Sequence, residues 1–406
     1  MTINKKLTIG LFGFGVVGEG IYKVLQQTPA LDASIKKICI KHPDKKRNAP
    51  SELFTANASE LINDDSINVI VELIDDADAA FIIVSAAMKR KKSVVSANKK
   101  MIATHLAELL QLQTENNVSF LYEASVCGSI PVIRNLEEYY DNDLLNSFSG
   151  IVNGSTNFIL TKMKEENLRY DTALLQAQQL GFAESNPALD VEGKDAVNKL
   201  TIVLKHAYGI TANPDSILHL GITHLTSFDT QYANEKGYHI KLVANAYQIT
   251  ENKIVAYVLP TFVSQKNPLY NIRNEFNGVL IGSKLADEQF LYGKGAGRFP
   301  TASAVLSDIA ALRYNYQYEY KKTTSGVKYQ LTEKSAVKIY VSFSDRTFVQ
   351  ENDFIEVEES YQSANINHLI GTISLDNLKS VKWFNNKTVS VIAVSGVSDV
   401  ANQNNN

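Results

Sequence analysis

The densest run of side chains able to do chemistry in this 406-residue chain is LGFAESNPALDVEGKDAVNKL, from Leu180 to Leu200. Asp195 and Lys199 stand four apart there, so on a helix they share a face and can pair. Two readings stay open on residue type alone. One is an exposed ion pair worth a few tenths of a kcal/mol. The other is an acid/base device, a lysine beside a carboxylate in a cleft, favoured by the apolar Ala196, Leu200, Val203 and Leu204 of the same stretch. A second lysine, Lys99 in SANK, follows a strand-like run and so stands at the carboxyl edge of a sheet, where doubly wound folds bind ligands. A surface charge would look the same.

A third pattern is Gly13-Phe14-Gly15-Val16-Val17-Gly18, which fits Gly-x-Gly-x-x-Gly between a strand-like and a helix-like segment. Its physical sense is a tight turn, close backbone approach to a pyrophosphate, and tight helix-to-strand packing, with the helix N-terminus toward the phosphates. The residue ending the second strand then separates the two nicotinamide cofactors: a carboxylate binds a ribose 2′-hydroxyl, a cation suits a 2′-phosphate. This chain has Ile40-Lys41-His42 with Lys45, Lys46 and Arg47 behind, which favours NADP over NAD; a solvated basic loop is the plain alternative.

Such residues need elements to hold them. Leu7 to Phe12 is a compact apolar run ending at Gly13, and Val16, Ile21, Val24 and Leu25 follow at helical spacing. Further strand-like runs at Ile35 to Ile40, Val69 to Leu73, Ser93 to Ser96 and Val118 to Tyr122 alternate with helix-like stretches at 57–63, 77–91 and 101–115. That alternation calls for a parallel sheet with crossover helices. From about Leu144 the pattern changes to strand-like FSGIV, a turn NGST and helices to Glu165, at 170–180 and at 194–208. Strand-like stretches at 238–247, 253–258 and 277–281 complete a mixed sheet with helices on one face. The Gly-rich YGKGAGRFPTASAV leads into an Ala-rich helix, and after a polar KKTTSG the strand-like Val337 to Phe343 and Val389 to Val394 suggest a small last module. The ANQNNN end reads as frayed.

Composition limits the function classes. The length suits two or three domains, and a net charge of −3 gives no basic footprint for nucleic acid. Two cysteines, Cys39 and Cys127, form neither a disulfide framework nor a thiolate zinc site and suit a reducing compartment. No signal-peptide pattern and no membrane-length apolar run is visible, so a cytoplasmic protein is expected.

GFGVVG, SANK, EASVCGSIP, IVNGSTNFIL, the Leu180 to Leu200 stretch and YGKGAGRFPTASAVLSDIA stand in the order of one family: over about residues 7–312 the chain resembles homoserine dehydrogenases. The resemblance implies an α/β fold: a Rossmann-type dinucleotide-binding domain (1–133, rejoined by a helix at 301–315), a mixed α+β substrate and dimerisation domain (134–300) and a degenerate ACT-like module (325–406). It implies NAD(P)-dependent interconversion of L-homoserine and L-aspartate 4-semialdehyde, in threonine, methionine and isoleucine biosynthesis. Lys99 and Lys199 then match the catalytic lysines, with Asp195 supporting Lys199, and Glu184 and Asp190 match the carboxylates holding the amino acid. Gly154 and Ser155 match the turn that contacts the substrate, with Ser155 where the family usually has Thr. Lys99 and Gly295 join Gly13, Gly15, Val16, Val17, Gly18 and Lys41 around the cofactor.

Glu123-Ala124-Ser125-Val126-Cys127-Gly128-Ser129-Ile130 resembles the family loop that holds a monovalent cation, usually sodium, largely through backbone oxygens; Glu123, Val126, Gly128 and Ile130 are the residues nominated, and an ordinary strand-to-helix turn capped by Pro131 is the plain alternative. Cys127 and Ser129 replace common glycines there, and Asp75-Asp76 replace two more near the cofactor, where the acids either disturb its contacts or face solvent. The resemblance also implies a homodimer. A related amino-acid or semialdehyde dehydrogenase, and a cofactor-binding regulator without catalysis, are the alternatives.

Overall fold

LTIGLF, the first apolar run, becomes β1 (Leu7–Phe12), the strand around which the N-terminal sheet is built. A computed structural model describes residues 6–42, 45–142, 144–324, 326–363 and 366–394; the N-terminal five residues and the ANQNNN end lie outside them. The chain divides into two units, Met1–Asp141 with Lys294–Lys321, and Asn142–Gly293 with Lys322–Asn406.

In the first unit, β1 pairs in parallel with β2 (Ala33–Cys39) on one side and β4 (Val69–Glu72) on the other. β3 (Phe54–Thr55), β5 (Ser93–Ser96) and β6 (Phe120–Leu121) extend the sheet, giving the order β3-β2-β1-β4-β5-β6 with every pair parallel. β4 is buried at all its positions, as a parallel strand covered on both faces must be. The strand order reverses between β1 and β4, and the carboxyl ends at such a reversal form the ligand crevice of a doubly wound sheet. The helices Val16–Gln27, Ala77–Lys89 and Lys99–Asn116 supply the crossovers. The helix Arg298–Leu312, from far along the chain, packs on Val16–Gln27 so closely that a Cβ on Gly20 would lie 2.9 Å from the Arg298 carbonyl oxygen.

The second unit holds one mixed sheet built from β7 (Leu145–Ile151), β8 (Leu218–His219), β9 (His239–Thr250), β10 (Lys253–Val263), β11 (Phe276–Ser283), β12 (Asp287–Lys294), β13 (Gln330–Leu331), β14 (Ala336–Phe343), β15 (Glu356–Gln362), β16 (Asn367–Ser374) and β17 (Val389–Ala393). The path runs β12-β11-β7-β9-β10-β17-β14-β16-β15, with β8 and β13 also on β10. Helices Gly154–Glu165 and Lys194–Tyr208 pack on β9. The C-terminal stretch joins this sheet where Thr261 of β10 meets Ala393 of β17. Its strands β14 to β17 follow the order of a split βαββαβ unit. The first helix of that pattern is reduced to a single 3₁₀ turn, Glu351–Asp353, and the second is the short Leu375–Ser380.

The sequence reading contains no β12, β15 or β16. β12 and β15 are poorly buried along DEQFLYGK and EVEESYQ, and EVEESYQ also lacks the apolar content by which the central strands are recognised. The segment RTFVQENDFIEVEES, which offers no apolar helix, indeed contains none beyond the 3₁₀ turn.

Candidate active site

Each glycine of the Gly-x-Gly-x-x-Gly turn has a separate reason. Gly13 has φ +93°, and a Cβ there would meet the Leu73 carbonyl oxygen at 2.5 Å; a Cβ on Gly18 would meet the Gly13 carbonyl oxygen at 2.4 Å. Gly15 is different: nothing lies within 4 Å of the place its Cβ would take. It caps the helix Val16–Gln27 without any side-chain hydrogen bond to the first turn. An open backbone at an uncapped helix N-terminus is what a pyrophosphate needs, so the residues fit a dinucleotide. Lys41 is exposed past the end of β2, beside a basic loop that Arg47 folds by donating to the carbonyls of His42 and Lys45, both at 2.7 Å, with its guanidinium over the Phe54 ring.

At the carboxyl ends of β4 and β5 the side chains interlock. Ser96 Oγ donates to Glu72 Oε2 at 2.6 Å and accepts the Asn98 N–H at 3.1 Å; Ile74 N–H donates to Glu72 Oε1 at 2.7 Å, and Asn98 Nδ2 donates to the Ile74 carbonyl at 3.0 Å. Asn98 Oδ1 caps the next helix by accepting from Met101 N–H, and Lys99 is that helix's first residue. Glu72 is fully buried, and burial, reinforced by the nearby Asp75, pushes its carboxyl up to about 7 against the Ser96 and Ile74 bonds. Asp75 and Asp76 are both exposed, and Asp76 caps its own helix, accepting from the N–H groups of Asp78 and Ala79.

In the second unit, Asp195 and Lys199 form an ion pair of 2.8 Å. They are only 3% and 8% exposed, which overturns the surface-pair reading. Lys199 Nζ also donates to the Val152 carbonyl at 2.6 Å. Asn153, outside the sequence-derived site set, binds the cluster together: its Nδ2 lies 2.8 Å from both Asp190 Oδ1 and Asp195 Oδ2. Its Oδ1 meanwhile caps the helix Gly154–Glu165 through Thr156 N–H. An asparagine before a helix start reads as a cap, which hides the second use of the same side chain. Gly193, with φ +84°, turns the chain so that Asp195 falls in the first turn of its helix. Gly154 and Ser155 open the helix that Asn153 caps, and a Cβ on Gly154 would lie 2.6 Å from the Glu275 carbonyl oxygen. Asp190, Asp195 and Lys199 are thus brought together. Glu184 is exposed on the preceding loop, which Phe182 anchors by stacking on Phe158 at 4.6 Å.

The loop after β6 turns at Gly128, with φ +54°, where a Cβ would meet the Gly295 carbonyl oxygen at 2.5 Å. Ser129 donates to the Lys294 carbonyl through both N–H and Oγ, so this replacement of glycine has a tether of its own. Glu123 is buried and its carboxylate accepts the N–H groups of Ile133 and Arg134 at 2.8 and 2.9 Å. Its own N–H donates to Asp308, which Arg134 neutralises at 2.9 Å. Asp308 and Arg134 are outside the sequence-predicted site residues: Asp308 stands within YGKGAGRFPTASAVLSDIA, but its pairing with Arg134, 174 residues away, is visible only in the fold.

Residues 131–310 match the family model for homoserine dehydrogenase, and residues 13–123 match the model for its NAD-binding domain. The homoserine dehydrogenase of Bacillus subtilis (strain 168) is 36% identical over 86% of this chain and 82% of its own length. The crystal structure of a homoserine dehydrogenase from Thiobacillus denitrificans superposes with a TM-score of 0.86 at 28% identity, covering 96% of this chain and 98% of that one. A hyperthermophilic archaeal homoserine dehydrogenase mutant, solved in complex with NADPH, covers 78% of this chain and all of its own at a TM-score of 0.66 and 26% identity. With its dinucleotide turn on one unit and its buried Asp195–Lys199 pair on the other, the chain belongs to the homoserine dehydrogenase family, oxidoreductases that use a nicotinamide cofactor.

Proposed function

We propose that Lys199 and Lys99 manage the proton on the substrate's C4 oxygen as L-homoserine and L-aspartate 4-semialdehyde interconvert. The observation that carries this is the Lys199 environment. Two of its three N–H donors are engaged by Asp195 and Val152, which fixes the ammonium and leaves one donor for a substrate oxygen. Asp195 orients Lys199 through their 2.8 Å ion pair, and Asn153 keeps the Asp190 and Asp195 carboxylates together. Asp190 and Glu184 take the substrate's ammonium end, and Gly154 and Ser155 contact its amino-acid portion. Lys99, at the first position of its helix, is supported by its place at the carboxyl edge of the sheet.

A nicotinamide dinucleotide held by Gly13, Gly15, Val16, Val17, Gly18 and Gly295 would supply or accept the hydride. We assign NADP as the preferred form: Lys41 is the first cation after β2 and no carboxylate ends that strand. The NADPH bound by the archaeal relative supports the same choice. A monovalent cation would sit in the loop Glu123 to Ile130. Because Glu123's carboxylate is engaged by Ile133 and Arg134, main-chain oxygens of Val126, Gly128 and Ile130 are the ligands that suit it. The C-terminal strand order supports a degenerate ACT-like module. The family resemblance supports a homodimer formed through the second unit, and two free cysteines suit a reducing cytoplasm.

Nicotinamide absorbance followed with L-homoserine, and with other amino alcohols and hydroxy acids, under NADP and NAD separately tests this reading. Turnover should be selective for homoserine and better with NADP; equal turnover of unrelated alcohols would overturn it.

A further inference from the structure

The ring of hydrogen bonds behind Lys99, formed by the side chains of Glu72, Ser96 and Asn98 and the main chain of Ile74, has no part in the chemistry described so far. We propose that Glu72 is a positioning residue for Lys99, acting through Ser96 and Asn98 to fix the first turn of the helix that Lys99 begins. The inference rests on Lys99 being a catalytic lysine. Glu72, Ser96 and Asn98 are 0%, 0% and 7% exposed, so water does not substitute for any missing partner. Glu72 has no ion-pair partner among the described residues; a buried carboxylate without a cation is kept only where its hydrogen bonds are strong. Both of its oxygens are used, one by Ser96 Oγ and one by the Ile74 N–H. Ser96 in turn accepts from Asn98 N–H, and Asn98 binds back to Ile74 while capping the Lys99 helix. The ring closes on itself, so a displacement of any member is passed to Asn98.

The arrangement is complete when Glu72 is ionised, with Ser96 donating to it. Protonation supplies a hydroxyl that must donate to Ser96 Oγ, which frees the serine proton and breaks the match around the ring. The charged side chain acting on Glu72 is Asp75, on the same turn; its register neighbours Phe12 on β1 and Ser96 on β5 carry no charge. Burial, with a smaller push from Asp75, raises the Glu72 carboxyl to about 7, so Glu72 is poised to titrate in the working range. Acidification then loosens the Lys99 helix start before the fold is lost.

The test compares wild type with Glu72→Gln, Glu72→Asp and Lys99→Ala. It reads kcat and KM for homoserine across roughly pH 5.5 to 9 and NADPH binding by fluorescence. Glu72→Gln, a mimic of the protonated form, is expected to bind NADPH normally, to lower kcat about tenfold or more and to lose the acid limb of the kcat profile. Glu72→Asp should keep an acid limb, displaced from that of wild type, and carries the test if the Gln variant does not fold. Wild-type kcat with an unchanged profile in Glu72→Gln, while Lys99→Ala is inactive, overturns the inference alone. Near-normal turnover in Lys99→Ala overturns the catalytic reading of Lys99 and the inference with it.

Discussion

Asn153 donates to Asp190 across 2.8 Å, tying the turn before the helix Gly154–Glu165 to the short helix Ala188–Val191. Since the same nitrogen reaches Asp195, removal of this one carboxamide leaves two neighbouring carboxylates without their shared donor. Asn153→Ala should raise KM for homoserine and lower kcat/KM about ten- to hundredfold, with a stability loss of about 1–3 kcal/mol and NADPH affinity unchanged. Steady-state kinetics beside a denaturation curve check it, and wild-type kcat/KM would show that the bridge is idle.

Gly13 and Gly15 should fail in different ways. Gly13→Ala forces a Cβ into the Leu73 carbonyl at positive φ and should lower stability by about 1–3 kcal/mol. A Cβ on Gly15 meets nothing within 4 Å, so Gly15→Ala should lower the melting temperature less than Gly13→Ala does while NADPH binding is lost. Thermal melts and fluorescence titrations separate the two, and intact NADPH binding in Gly15→Ala would count against the pyrophosphate assignment.

Lys41→Glu should raise KM for NADP strongly and change that for NAD less, because a 2′-phosphate meets repulsion that a hydroxyl does not. Equal weakening of both, or wild-type preference for NAD, would make Lys41 a solvated loop residue.

Lys241 offers a pH test of the second unit. It is 2% exposed on β9, donates to Asn157 Oδ1 at 2.9 Å and to the Ile272 carbonyl, and burial aided by Arg273 pushes its ammonium down to about 7. The unfolded lysine titrates near 10.4, so between about pH 7 and 10 the unfolded chain binds the extra proton and this group's contribution to stability rises with pH. Denaturant midpoints measured across that window should climb less in Lys241→Met than in wild type; parallel curves would show that Lys241 is charged when folded.

The parallel sheet was legible because β1, β4 and β5 are almost wholly buried and each carries a short apolar core, with helix-like stretches between them. The glycine turn and Asp195–Lys199 were legible because spacing alone places them on one turn or one face. Whether that pair was buried was not, since an i,i+4 spacing is the same at a surface and in a core. Asn153 and Glu72 escaped notice because each owes its role to partners brought in by the fold: Asp190 and Asp195 lie 37 and 42 residues from Asn153, and Ser96 lies 24 residues from Glu72. β15 was hidden by its own polarity, since its strand pairing, not an apolar pattern, defines it.

Homoserine-dependent reduction of NADP by wild type and Lys199→Ala, with NADPH binding measured on both proteins, puts the assignment of the buried lysine at greatest risk. Loss of a group that handles the substrate proton should lower turnover at least about a hundredfold with NADPH affinity intact. Near-normal turnover in Lys199→Ala would contradict it.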